Sequence, residues 1–258
     1  MKYYFVSDLH GSENALHVFL NKTIKDVEKG KAKLFFLGDY IDRGKQSFQV
    51  LNSIYNLQKQ YGNEKIIVLR GNHEEAFIEF IKGENNYWLV DDRYFSTIKT
   101  FLTENQLDEL KEIALHRKTD LIIDFVIKTI SSNHKELIEW LNKLPYFYET
   151  EKQIIVHAGI DEEAEELWRY GTPDFYFVCK NPLTTGKFYK DIICGHISSA
   201  AIANNNKYLG KVYFDGENHY FIDGTILKSK KLPVLVFDAE AEMYSDLQLG
   251  VGDDSECY

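Results

Sequence analysis

An α/β fold is predicted, in which a largely parallel sheet from the first eighty residues packs face to face on further sheet from the second half. Three observations predict it. Between Tyr3 and Leu69, short apolar runs alternate with segments of helical periodicity. Each of those runs ends in a polar cluster containing glycine. Strand-like apolar runs return after Gln153 and continue to Phe237.

The first run, Tyr3 to Val6, leads into Ser7-Asp8-Leu9-His10-Gly11. Ser12 is expected to cap a helix in which Leu16, Phe19, Leu20, Ile24 and Val27 form one face, ended by Gly30. The second run, Leu34 to Leu37, ends in Gly38-Asp39-Tyr40-Ile41-Asp42-Arg43-Gly44. Val50, Leu51, Ile54 and Leu57 mark a second helix, with Gly62 after it. The third run, Ile66 to Leu69, ends in Arg70-Gly71-Asn72-His73-Glu74. Strand–helix alternation implies right-handed crossovers, and sites in such sheets lie beyond the carboxyl ends of the strands.

Residues 84–150 change character and read as a helical insertion or cap on a single domain spanning 1–258. Helices are expected around Glu104 to Leu115 and Lys135 to Leu144, the latter closed by Pro145. The later strands are placed at Ile154 to Val156, Ile192 to Cys194, Val212 to Phe214, Tyr220 to Ile222 and Val234 to Phe237. Asp215-Gly216-Glu217-Asn218 is expected to form a hairpin turn.

Composition bounds the function. The chain has 258 residues, 44% hydrophobic and 27% charged, which is a globular composition. Its 40 acidic against 30 basic residues give a formal charge of -10, which argues against nucleic acid as a partner. A phosphorylated substrate remains compatible, because bound divalent cations invert the local field. Cys179, Cys194 and Cys257 are too few and scattered for a disulfide framework or a Cys-rich zinc site. With no signal-peptide pattern and no membrane-length apolar stretch, a cytoplasmic protein without a membrane partner is expected.

Chemistry gathers at the strand ends. Asp8 and His10 follow the first strand, Asp39 and Asp42 the second, and Asn72 and His73 the third. His157 and His196 follow two later strands, beside Gly159 and Gly195. Alone, a strand-end Asp is a turn former and a lone His a core or surface residue. Five strand ends bearing such groups beside glycine make a site. Mixed oxygen and imidazole ligands suit Mn, Fe or Zn better than Mg or Ca. His17, His116, His134 and His219 are given no role. Gly38 to Lys45 is not a phosphate loop, because five residues separate Gly38 from Gly44 and Gln46 follows the lysine.

The three clusters around Asp8, Asp39 and Asn72 resemble the three-part signature of calcineurin-like metallophosphoesterases. The last two resemble most its phosphoprotein phosphatase (serine/threonine phosphatase) branch, in bacterial and phage form. His157-Ala158-Gly159 and Gly195-His196 resemble that family's later metal-histidine motifs. The resemblance implies two packed mixed β-sheets flanked by helices, and two divalent metal ions, Mn first with Fe or Zn as alternatives. It implies Asp8, His10 and Asp39 on one metal and Asp39, Asn72, His157 and His196 on the other. It further implies His73 as general acid oriented by Asp42, with Arg43 gripping the phosphoryl group. Leu167-Trp168-Arg169 resembles a segment of bacterial members, making Arg169 a candidate second phosphate ligand; a solvated arginine is the alternative. The expected substrate is a phosphorylated protein or a small phosphoester. A protein serine/threonine phosphatase leads, and a symmetrical diadenosine tetraphosphate hydrolase is the alternative. A nuclease and a non-catalytic binding scaffold rank lower.

Overall fold

The computed structural model describes residues 1–92, 95–116 and 118–252. Strand β1 (Lys2–Val6), helix α1 (Glu13–Glu28), β2 (Ala32–Phe36), α2 (Ser47–Tyr61), β3 (Ile66–Val68) and α3 (Asn72–Ile81) repeat the predicted alternation. β1 runs parallel to β2, and β2 to β3, with Phe5 beside Phe35 and Phe35 beside Ile67. Ser12 stands at the start of α1, but its hydroxyl makes no capping bond; its N–H is tied back to Leu9 O, and its carbonyl accepts from the Leu16 N–H.

A helical stretch follows: α4 (Tyr87–Asp91), α5 (Ile98–Phe101), α6 (Glu104–Leu115), α7 (Thr119–Asn133) and α8 (Lys135–Leu141). Thr103 and Gln106 cap α6 reciprocally, each side chain bonding the other's backbone N–H. The stretch ends earlier than the sequence implied. Phe147–Glu149 form strand β4, antiparallel to β5 (Gln153–Val156). Its residues are all half-buried, so β4 lacks the fully apolar run that betrays a central strand.

The remaining elements are α9 (Trp168–Gly171), α10 (Asp174–Cys179), β6 (Asp191–Cys194), α11 (Ser199–Ile202), β7 (Tyr213–Phe214), β8 (His219–Phe221), α12 (Ile226–Ser229), β9 (Lys231–Asp238) and β10 (Met243–Gly250). β7 and β8 form the expected hairpin across Asp215 to Asn218. Two five-stranded mixed sheets result, ordered β10-β9-β1-β2-β3 and β4-β5-β6-β8-β7. The run Val234 to Phe237 therefore joins the first sheet, antiparallel to β1, rather than the second.

Both faces of the central strands are covered, and alternate residues go opposite ways. Phe5, Phe35, Ile67, Ile155, Ile193 and Leu235 meet between the sheets. Tyr4, Val6, Leu34 and Phe36 face α1 and α2, while Ile154 and Val156 face Trp168 and Phe177. Burying these apolar faces stabilises the sandwich by about 25 cal/mol per Å² of apolar surface removed from water. Among the described residues, no helix is long and apolar enough to cross a membrane. Cys179 and Cys194 are free thiols, exposed and buried respectively, and Cys257 lies outside the described residues.

Candidate metal centre

The carboxyl ends of β1, β2, β3, β5 and β6 converge, and their loops are bent hard to do so. Asp8, His10, Asp39, Asp42, Arg43 and His196 all have positive φ, between 43° and 68°. Non-glycine residues avoid this region, and strain of this kind persists where surrounding structure imposes it. Two glycines make the approach possible. A Cβ on Gly71 would lie 2.3 Å from Asp39 Oδ1, and one on Gly195 2.3 Å from Asp8 Oδ2. Neither contact is tolerable, so backbone passes against both carboxylates only where side chains are missing.

Asp39 is the hub. Its carboxylate belongs to two groups of potential ligands, one with His10 and His73 and the other with His157 and His196. His157 Nε2 is 3.4 Å from Asp39 Oδ1, and His10 Nε2 is 3.7 Å from Asp39 Oδ2. His10 Nε2 also lies 3.8 Å from Asp8 Oδ1. Asn72 Oδ1 lies 3.1 Å from His157 Nε2 and 3.0 Å from His196 Nδ1. Two imidazoles are aimed from behind: His157 Nδ1–H donates to Leu37 O (2.8 Å) and His10 Nδ1–H to Ile41 O (3.0 Å). A carbonyl on Nδ1 fixes the tautomer that turns the Nε2 lone pair inward, as metal-binding histidines require.

The residues fit a metal pair. Asp8 Oδ1 is buried and has no hydrogen-bond partner, an arrangement that a cation resolves. The donor set is hard oxygen plus imidazole, suited to first-row divalent ions. The electrostatics agree. Burial, then Asp223 and Asp39, hold the Asp8 carboxyl well above its usual range. Asp39 is driven the other way: burial would raise it, but His157 and His73 hold it well below. Burial lowers His10 to about 4, and burial with His157 lowers His196 to about 4, which favours the neutral rings that ligation would need. His157 is raised to about 9, because Asp39 outweighs its burial. A cation at this position competes with the His157 proton.

A second pair stands beside these groups. His73 Nδ1–H donates to Asp42 Oδ2 at 2.7 Å. Burial works to lower this imidazole, and the Asp39 and Asp42 carboxylates overcome it, so it sits above its ordinary value. Arg43, largely exposed, reaches both rings, with Nη1 3.0 Å from His10 Nε2 and Nη2 3.1 Å from His73 Nε2. A cavity of about 600 Å³ opens here, bordered by Arg43, Asn72, His73, Asn85, Tyr87 and Ser96.

Of the sequence-predicted residues, Asp8, His10, Asp39, Asp42, Arg43, Asn72, His73, His157 and His196 are therefore brought together. Arg169 is not among them. Its guanidinium pairs with Glu149 on β4 and lies over the Trp168 ring. The sequence reading missed Glu74, whose carboxylate accepts from the N–H groups of Asp39 (2.8 Å), Tyr40 (2.8 Å), Ile41 (3.3 Å) and Gly71 (3.1 Å). Position three of a helix, reaching back to the N-cap N–H, was the available signal. Asp223, buried near Asp8, carried none.

Known proteins resemble this chain in family and fold. A family model described as calcineurin-like phosphoesterase matches residues 1–231. A symmetrical bis(5'-nucleosyl)-tetraphosphatase of Buchnera aphidicola subsp. Schizaphis graminum is 26% identical over 195 residues, covering 75% of this chain and 56% of that protein. A candidate serine/threonine-protein phosphatase of Caenorhabditis elegans is 47% identical over 51 residues, 20% of this chain and 14% of that one. The chain spans about half the length of the tetraphosphatases it matches. A solved serine/threonine phosphatase of Saccharomyces cerevisiae superposes with a TM-score of 0.54 at 15% identity, covering 98% of this chain and 77% of that one, which shows a shared fold. With the family model matching residues 1–231, which include every candidate ligand at the strand ends, the chain belongs to the calcineurin-like phosphoesterase family.

Proposed function

We propose that this chain is a two-metal phosphomonoester hydrolase acting on phosphoserine and phosphothreonine in proteins. One observation carries the reading: a buried carboxylate shared by two groups of potential ligands stands next to a His73–Asp42 pair and an exposed arginine, and that pair and the arginine border one cavity. Asp8, His10 and Asp39 would hold one ion, and Asp39, Asn72, His157 and His196 the other. Divalent ions, Mn first, supply Lewis acidity and activate water at neutral pH.

The chain's own groups do the rest. Arg43 presents its guanidinium to the phosphoryl oxygens, a fork geometry that favours bidentate contact. His73 gives its Nε2 proton to the leaving oxygen, which departs as an alcohol. Asp42 keeps the opposite ring nitrogen bonded and stabilises the imidazolium before transfer. Asn72 brings an uncharged oxygen, so the site keeps net positive charge for an anionic substrate.

The name and extent of the Buchnera match favour a second reading, hydrolysis of diadenosine tetraphosphate. Measuring kcat/KM for a phosphopeptide, diadenosine tetraphosphate and a bis-phosphodiester separates them. The phosphopeptide is expected to lead. A diadenosine tetraphosphate value far above every phosphopeptide overturns the assignment, and a leading phosphodiester makes the protein a nuclease-like esterase instead.

A further inference from the structure

The helical stretch after α3 reaches directly into the His73–Asp42 pair. Trp88 Nε1–H donates to Asp42 Oδ2 at 2.9 Å, the same oxygen that accepts from His73. Thr97 Oγ1–H donates to the other oxygen, Oδ1, at 2.5 Å. The Asp42 N–H donates to Ser47 Oγ at 3.0 Å, and that hydroxyl lies 3.4 Å from Thr97 Oγ1. Both oxygens and the backbone of Asp42 are thus tied, which leaves the carboxylate a single orientation.

The two donors are themselves immobilised. Trp88 is 4% exposed and packs at ring-centroid distances of 4.8 Å from Phe77 and 5.1 Å from Phe80, both on α3. Thr97 is fully buried, and its N–H donates to Asp92 Oδ1 at 2.8 Å. Asp92 also accepts from Ser96 Oγ (2.6 Å) and from the Ile98 N–H (3.0 Å). A buried indole N–H needs one acceptor, and any backbone carbonyl would serve. Here two side chains from different turns converge on the single carboxylate that holds the proton donor.

We propose that Trp88 and Thr97 are positioning residues for proton transfer: through Asp42 they keep the His73 imidazole aimed at the leaving oxygen. The inference rests on the reading of His73 as proton donor. It makes the helical stretch part of the catalytic apparatus as well as a wall of the cavity. The expected effect is large because a reacting group misplaced by about 1 Å can cost on the order of 10²-fold in rate.

The test uses Thr97→Val, which keeps the shape and deletes the donor, Thr97→Ser, which keeps the hydroxyl, and Trp88→Phe. Each is assayed on a phosphopeptide and on an aryl phosphate, with metal content and melting temperature measured. Thr97→Val and Trp88→Phe are expected to lower kcat on the phosphopeptide by about 10–100-fold. The aryl phosphate, whose phenolate leaves without a proton, should lose far less, and KM and metal content should hold. Thr97→Ser should restore the wild-type rate. On a His73→Asn background, Thr97→Val should add nothing, because residues acting as a unit are not additive. Equal losses on both substrates, lost metal, or a further loss on that background overturn the inference. Should His73→Asn itself fall equally on both substrates, the proton-donor reading falls with it. Should His73→Asn discriminate between the substrates while Thr97→Val and Trp88→Phe do not, only the positioning role falls. Should Thr97→Val fail to fold, Trp88→Phe carries the same comparison.

Discussion

Glu74 shows how much a single side chain can hold in this molecule. It is fully buried, and its two oxygens receive four backbone N–H groups from the loop that carries Asp39 and from Gly71. Burial, then Asp39, raises it to about 7, yet the N–H bonds favour the charged form. Glu74→Gln is nearly isosteric, but its amide nitrogen must face N–H donors whichever way it turns, since Oε1 and Oε2 each accept two. Loss of about 2–3 kcal/mol is expected, the cost of unmade bonds to a charged acceptor, together with weaker metal retention as the Asp39 loop relaxes. Denaturant unfolding with a metal count checks both; unchanged stability would mean the loop holds without this clamp. At this scale the candidate ligands were legible, because Asp8, Asp39, Asn72, His157 and His196 follow apolar runs beside glycine. Glu74 stood inside a recognised cluster without a stated role, since three of its four partners lie more than thirty residues back. Trp88 and Thr97 gave no local sign at all: an indole and a hydroxyl acquire their meaning only from Asp42, dozens of residues away.

Elements show the same division between local and distant information. β1, β2, β3, β5 and β6 announced themselves as apolar runs because both of their faces are buried. β10 escaped notice: on the sheet edge only one face is covered, and its residues are exposed or half-buried. His219, at the start of β8 and given no role on sequence grounds, is buried between two carboxylates. Its Nδ1 is 3.0 Å from Asp215 Oδ2 and its Nε2 3.1 Å from Glu162 Oε2, and both nitrogens donate only in the imidazolium. Burial would lower this histidine, and Glu162 and Asp215 outweigh it, so its folded value lies above the ordinary one. A raised folded value stabilises fully below the unfolded value of about 6.5 and is lost as pH climbs through the folded one. Glu162 works oppositely: burial is overcome by His219 and Lys180, which hold it low, so its contribution disappears in acid. The latch joining the turn at Glu162, the Lys180 side chain and the β7–β8 hairpin is therefore strongest between about pH 4.5 and 6.5. Melting temperature is expected to decline from pH 6 towards pH 9, and His219→Gln to flatten that decline. A slope identical in the two proteins would show that His219 is neutral in the fold.

The whole molecule is two sheets joined at one end by charge and in the middle by oil. Phe5, Phe35, Ile155 and Ile193 fill the interior between the sheets. At the carboxyl ends the first sheet contributes Asp8, His10, Asp39 and Asn72, and the second His157 and His196. Direct bonds already cross there: the His196 N–H donates to Asp8 Oδ2 (3.1 Å) and His157 Nδ1–H to Leu37 O (2.8 Å). The same convergence brings the buried carboxylates of Asp8, Asp39 and Asp223 close enough to raise the Asp8 carboxyl. Crowded anions at the junction oppose its closure, and cations bound to both sheets would reverse the sign. Metal should then act on stability as well as activity, because a ligand bound only by the folded state stabilises it by mass action, about 2.7 kcal/mol at a hundredfold excess over Kd. Chelator-treated protein is expected to melt several degrees lower and to recover on addition of Mn, independently of any substrate. Asp39→Asn should largely abolish the Mn-induced rise, since the bridge between the two ligand groups loses its charge, whereas Arg43→Ala should leave it intact. Melting temperatures that ignore both chelator and Mn would mean that the sheets close without help from ions, and that the ligand cluster is not a metal centre.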